Sequence, residues 1–142
     1  MLVSQILENK GDLVFTVSPN QTMSEAAALL HERNVGAMVV VDDREQLVGI
    51  VSERDLVRGV ALHGEQALTR SVASCMSREV VFARPEETVD DLMARMTDRR
   101  VRHLPVLKGG RLCGIVSIGD LVKHKIAETE AEAQTLKDYI AA

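Results

Sequence analysis

A second copy of its own first half constrains this chain more than any other feature. Gly49-Ile50-Val51-Ser52-Glu53-Arg54-Asp55-Leu56-Val57 returns as Gly114-Ile115-Val116-Ser117-Ile118-Gly119-Asp120-Leu121-Val122, 65 positions later. Upstream the offset is 66: Pro19 and Thr22 return as Pro85 and Thr88, and Val35 returns as Val101. One residue is therefore lost from the second copy between Leu107 and Leu112. A repeat of this size predicts a duplicated module with a pseudo-twofold axis. A site built by one copy is then open to being built by the other.

Composition narrows what the module can do. At 142 residues the chain suffices for one well-buried core, or for two small halves sharing one. Hydrophobic residues make up 46%, yet there are two Phe, one Tyr and no Trp. The interior is therefore aliphatic, and base stacking on aromatic platforms has little to draw on. A formal charge of −4 argues against nonspecific nucleic-acid binding, which needs a basic surface. No apolar run approaches the roughly 20 residues that span a bilayer. Met1-Leu2-Val3-Ser4-Gln5 lacks the charged start and apolar stretch of a signal peptide. Cys75 and Cys113 form no CxxC pair and fit reduced thiols. These features predict a soluble cytoplasmic domain with neither nucleic acid nor membrane as a partner.

Each copy reads as the same run of elements. In the first, a strand over 13–17 stops at Ser18-Pro19, and Thr22-Met23-Ser24-Glu25 fits a capping box that opens a helix with Ala26, Leu29 and Leu30 on its apolar face. Strands follow over 37–41 and 47–51, separated by Asp42-Asp43, then a helix through Leu56, Val57, Val60 and Ala61. The second copy predicts a strand over 80–83, a helix over 89–100, a strand over 104–107, a turn at Gly109-Gly110, a strand over 111–117 and a helix over 121–126. Continuous rather than alternating apolar strands suggest a sheet buried on both faces. Lead-ins match too: Val3, Ile6 and Leu7 are echoed by Val72, Cys75 and Met76. The fold class is α/β in content and of the α+β type, β-α-β-β-α twice. Its boundaries fall at 1–68 and 69–127, with a helical tail over 128–142.

With these elements in place, the chain resembles a tandem pair of cystathionine-β-synthase (CBS) domains over nearly its whole length. The resemblance rests on the strand–Pro–Thr helix start, on Val101-Arg102-His103-Leu104-Pro105-Val106, and on the two Gly-Ile-Val-Ser-x-x-Asp-Leu runs. It implies a compact stand-alone pair, a Bateman module. Such a module binds an adenosine-containing ligand (AMP, ADP, ATP or NAD(H)) in the cleft between its repeats, dimerises with a second copy, and signals to a protein effector in trans.

The residues allow that role and a plainer one. Asp55 and Asp120 sit at strand-to-helix junctions, where one carboxylate can accept hydrogen bonds from both hydroxyls of a ribose, as acidic residues do in dinucleotide folds. Ser52 and Ser117, with the helix N-terminus, offer donors to an anion. Yet Ser-x-x-Asp is also close to a capping box, so the same residues can serve only to start a helix. For phosphate, Arg54 follows the first motif, and Lys123 follows the second. The resemblance carries a nucleotide-facing role to the basic pair Arg102 and His103, next to Pro105. Arg suits phosphate because its planar fork donates two hydrogen bonds at once. For Arg58, Lys123 and His124 a solvated helix-face charge is the better reading.

The first copy departs from the pattern, since Val35-Gly36-Ala37-Met38-Val39 lacks the basic pair and the proline. Gly36 and Ala37 are expected to leave an open apolar wall fit for an adenine ring but without charge for a phosphate. The two sites are thus not equivalent. Ala, Glu, Gln and Lys dominate the tail from 127, with Ile126, Ala133, Leu136 and Ile140 at roughly helical spacing, which fits packing on its own module or contact with a second chain. Catalysis finds no support: His31, His63, His103 and His124 lie far apart, and there is no HExxH, P-loop or strand-linked GxGxxG. No catalytic cofactor or metal is expected. A nucleotide-sensing regulatory module and a ligand-independent dimeric scaffold with the same fold remain the two readings.

Overall fold

The computed structural model of the chain describes residues 1–11 and 14–141. Its elements run α1 (Val3–Lys10), β1 (Thr16–Val17), α2 (Met23–Arg33), β2 (Ala37–Val41), β3 (Leu47–Ser52), α3 (Glu53–His63), a 3-10 turn (Gly64–Thr69), α4 (Val72–Cys75), α5 (Val89–Arg99), β4 (His103–Lys108), β5 (Arg111–Ser117) and α6 (Ile118–Ala141). Helices and small sheets mix within each half, so the fold is α+β. Two compact units form, Met1–Asp12 with Val81–Ala142, and Leu13–Val80.

The first helix of each repeat starts for the reason its sequence predicts. Thr22 Oγ1 accepts from the Glu25 N–H at 3.1 Å, and Thr88 Oγ1 accepts from the Asp91 N–H at 3.1 Å. Both helices end on a left-handed residue, Asn34 (φ 53°) and Arg100 (φ 56°), 66 positions apart. The hairpins then pair antiparallel, Met38 with Val51 and Leu104 with Val116. The residue lost from the second copy is a turn residue. Gly109 and Gly110, at φ 58° and 79°, close β4 to β5 in two residues. Between β2 and β3 the longer turn is held by Asp42, whose Oδ1 accepts from the N–H groups of Arg44 and Gln46, both at 2.9 Å.

Each unit keeps its own aliphatic core. In one, Met23, Ala26 and Leu30 of α2 pack with Met38, Val40, Val51 and Val72; in the other, Leu92 and Met96 of α5 pack with Val3, Ile6, Leu104, Val106 and Leu121. The lead-in α1 thus packs with the second repeat, and α4 with the first. Matching backbone bonds fix this exchange. Val3 N–H donates to the Glu87 carbonyl and Ser4 N–H to that of Pro85, both at 2.9 Å. Val72 N–H donates to Gln21 at 2.8 Å and Ala73 N–H to Pro19 at 3.0 Å. The compact units are therefore cut differently from the sequence repeats.

Some expectations change. Of the strand expected over 13–17, Leu13 lies outside the described residues and the ladder is Thr16–Val17. The strand expected over 80–83 is a single parallel bridge, Ala83 with Val106. Side chains take the neighbouring backbone groups instead: Arg95 donates to the Phe82 carbonyl at 3.0 Å, and the Arg84 N–H donates to Glu87 Oε1 at 2.9 Å. Burial is continuous over Ala37–Val40 of the central strand β2, but β3 and β5 alternate, so those edge strands have one partly covered face. The helix expected over 121–126 and the tail are one helix, α6, because no Gly or Pro interrupts them; Ala142 lies outside the described residues.

Candidate functional site

The strand-to-helix junctions are built alike in the two units. In one, Ala37 opens β2 opposite Ser52, the last residue of β3, and the Glu53 N–H donates to the Gly36 carbonyl at 3.0 Å. In the other, His103 opens β4 opposite Ser117, and the Ile118 N–H donates to the Arg102 carbonyl at 2.8 Å. Each junction thus gathers Gly36, Ala37, Ser52, Arg54 and Asp55, or Arg102, His103, Ser117, Asp120 and Lys123, within a few residues of one backbone crossing.

Both Ser-x-x-Asp runs are capping boxes. Ser52 N–H and Oγ donate to Asp55 Oδ2 at 2.9 and 3.1 Å, while the Asp55 N–H donates to Ser52 Oγ at 3.3 Å. Ser117 N–H donates to Asp120 Oδ2 at 2.8 Å, and the Asp120 N–H donates to Ser117 Oγ at 3.1 Å. Capping is thus shared, and what differs is the rest of each carboxylate. Asp55 is 5% exposed, with Oδ1 3.5 Å from the Arg58 guanidinium. Asp120 has a side chain 26% exposed, and Lys10 Nζ of α1 lies 2.6 Å from Oδ2 and 2.9 Å from the Ile115 carbonyl. Among the described residues every hydrogen bond to the Asp120 carboxylate goes to Oδ2, leaving Oδ1 as an acceptor. Partial burial works to raise the Asp120 pKa, but the Lys10 ammonium and the Ser117 N–H outweigh it and hold the carboxyl below its ordinary value.

The remaining predicted residues divide by exposure. Arg54, Arg102 and Lys123 are exposed, and His103 is half-buried at the head of β4. Pro105 is buried in β4, with its carbonyl accepting the Ala83 N–H at 2.9 Å. Ala37 is 5% exposed, so the open apolar wall expected there is closed; its small side chain is enclosed in the central strand, and Gly36 alone stays partly open. Arg58 has the ionic partner Asp55, and His124 Nδ1 lies 3.0 Å from Met1 Sδ. The sequence reading missed Lys10, which no local motif marks.

Cys75 and Cys113 are free, and burial pushes the Cys113 thiol pKa up. Among the described residues, no cluster of three or more His, Cys, Asp or Glu side chains could hold a metal ion, and no helix is long and apolar enough to cross a membrane.

Two α+β units on one repeated plan, each closing on a Ser-x-x-Asp junction, define a tandem-repeat module. The chain belongs to the CBS domain family, whose model matches residues 11–62 and 72–127. A CBS-domain containing protein from Agrobacterium tumefaciens, solved as a crystal structure, is 45% identical, with a TM-score of 0.86 over 87% of this chain and 92% of that one. A mitochondrial CBS domain-containing protein of Arabidopsis thaliana is 35% identical over 97% of this chain and 71% of its own length. The CBS domain pair of protein MJ0100, solved in complex with 5′-methylthioadenosine and S-adenosyl-L-methionine, is 26% identical, with a TM-score of 0.81 over 90% of this chain and 98% of that one.

Proposed function

We propose that this chain is a regulatory module that binds an adenosine-containing ligand, of the AMP, ADP, ATP, NAD(H) or S-adenosylmethionine kind, and passes the bound state to a protein effector in trans. The observation that carries the reading is Asp120, a half-buried carboxylate with one oxygen committed to its cap and the other free to accept. A ribose needs such an acceptor. Hydrogen bonds to a charged group contribute roughly 1.5–3 kcal/mol, or about one to two decades in Kd. The exposed Arg102 and Lys123 supply cations beside it. A related CBS pair holding two adenosine-derived ligands supports the ligand class.

The Asp55 junction is the lesser site in this reading. Its carboxylate is enclosed and met by Ser52 and Arg58, and Gly36 and Ala37 bring no charge. Ser117 and Asp120, with Arg102, His103 and Lys123 around them, form the principal ligand contacts; Ser52, Arg54, Asp55 and Gly36 form a weaker counterpart, and the buried Pro105 and Ala37 act only through the strands they sit in. The protein acts as a homodimer in the cytoplasm, where its two free cysteines stay reduced.

The competing reading, a ligand-independent dimeric scaffold, draws on the capping boxes that already occupy both motifs. Titration calorimetry with AMP, ATP, NAD and S-adenosylmethionine separates the two. Saturable heat from one of them, reduced at least tenfold in affinity by Asp120→Asn, supports the sensing module. Absence of binding by ligand-free protein leaves the scaffold.

A further inference from the structure

Lys10 reaches the Asp120 junction from 110 residues away in sequence. It ends α1, and its ammonium sits between Asp120 Oδ2 at 2.6 Å and the Ile115 carbonyl at 2.9 Å. Two of its three hydrogens are thereby engaged, and among the described residues nothing takes the third. The side chain is 35% exposed, on a stem of four flexible carbons.

The other repeat inverts this charge. Aligning Val72, Cys75 and Met76 with Val3, Ile6 and Leu7 puts Glu79 where the first lead-in has Lys10. Asp55 is met instead by Arg58 from its own helix, at 3.5 Å. A cation brought by the lead-in is thus a property of the Asp120 junction alone, and capping does not require it.

We propose that Lys10 is the residue by which the Asp120 site distinguishes a phosphorylated adenosine ligand from the uncharged nucleoside. This rests on the reading of Asp120 as the ribose contact. A ribose that gives one hydroxyl to the free Oδ1 and the other to Oδ2 competes with the Lys10 ammonium at Oδ2. A released ammonium, tethered within a few ångströms, gains a new acceptor in a 5′-phosphate but none in a nucleoside. Binding the nucleoside therefore costs the Lys10–Asp120 pair without replacement, whereas binding the phosphorylated ligand replaces it. The geometry accounts for selection and not only for affinity.

Titration calorimetry of the full chain with AMP and with adenosine tests this on the wild type, Lys10→Met and Lys10→Arg. Thermal melts monitor folding, and Lys10→Gln serves as a second neutral variant. The wild type is expected to prefer AMP by tenfold or more, the scale of one charge-assisted hydrogen bond. Lys10→Met and Lys10→Gln should lose most of that preference, with adenosine affinity unchanged or raised, and Lys10→Arg should keep it. If the neutral variants weaken both ligands by one factor, or neither, Lys10 does not read the phosphate. If the wild type binds S-adenosylmethionine but neither AMP nor adenosine, phosphate selection is wrong while the reading of Asp120 survives. If nothing adenosine-containing binds, both fall.

Discussion

Asp55 and Asp120 occupy the same place in the same motif, and the neighbours each one meets decide its chemistry. Both accept a serine N–H at a helix start, but Asp55 is enclosed and Asp120 is held by a lysine from α1. A third carboxylate, Glu87, accepts from Arg95 through both oxygens and from the Arg84 N–H, and its pKa is lowered first by the Arg95 hydrogen bond. Both Glu87 and Asp120 thus titrate lower in the folded chain than their ordinary values of 4.5 and 3.8. The unfolded chain then takes up protons first as pH falls. Stability from these two groups is fully present above about pH 4.5 and is lost as pH drops through the lowered folded values. Urea denaturation between pH 6 and pH 2.5 should show the loss beginning below about pH 4.5, with a shallower slope in Arg95→Met and, at the acid end, in Lys10→Met. Unchanged slopes in both variants would contradict the assignment. At this scale the sequence was half legible. Both Ser-x-x-Asp runs were legible as helix starts, since each closes a capping box. Lys10 carried no local signal, because its partner is set by which repeat α1 packs upon.

The glycine of each Gly-Ile-Val-Ser run gains its reason at the scale of elements. A Cβ at Gly49 would stand 2.6 Å from Met76 Sδ and 2.9 Å from the Ser77 carbonyl oxygen; one at Gly114 would stand 2.5 Å from Leu7 Cδ2 and meet side-chain atoms alone. In both cases the segment overhead is a lead-in, α4 with its following residues or α1. The Ser77 carbonyl also accepts the Ile50 N–H at 3.0 Å, so at Gly49 the obstruction is backbone that β3 needs. Overpacking costs about 1–3 kcal/mol. Gly49→Ala should fall near the upper end and Gly114→Ala near the lower, where a leucine rotation relieves it. Equal costs in urea denaturation would show that the Ser77 contact is not the obstacle. The sequence displayed both glycines without their cause, since nothing local says what will cover them. Helices α2 and α5 were readable because Thr22 and Thr88 cap them as isolated motifs do. The strand expected over 80–83 was not, because its pairing is settled by Arg95 and Glu87 farther along the chain.

Duplication shapes the whole molecule, down to the surface it presents. Val57 on α3 and Val122 on α6, equivalent in the repeat, are both exposed, at 67% and 39%, and Val60, Leu62 and Ile126 lie exposed on the same helices. Exposed aliphatic side chains recur on the second helix of each repeat and are the residues expected to be covered in the proposed homodimer. Light scattering after size exclusion should give twice the 15.6 kDa chain mass for the wild type and the single mass for Val57→Glu/Val122→Glu. A wild-type monomer would contradict the dimer, and a double variant that remains dimeric would place the interface elsewhere. The long α6 was foreseeable from a tail without Gly or Pro. The same absence joins the tail to the preceding helix, from Leu121 onward. The exchange of lead-ins between repeats was hidden, because a matched pair of segments does not say which copy each will cover.

The central claim is that the Asp120 junction, more than that of Asp55, receives an adenosine-containing ligand. Thermal-shift measurements with AMP, ADP, ATP, NAD, NADH and S-adenosylmethionine on the wild type, Asp55→Ala and Asp120→Ala test it most directly. A ligand at about a hundred times its Kd stabilises the fold by roughly 2.7 kcal/mol, which is several degrees for a chain of this size. Asp55→Ala should melt earlier, by the loss of a buried cap, and still respond to ligand. Asp120→Ala, weakened by roughly one to two decades, should keep only about 0.4–1.4 kcal/mol of that stabilisation. A shift of full size in Asp120→Ala, or ligand-free wild-type protein that responds to none of the six, would contradict it.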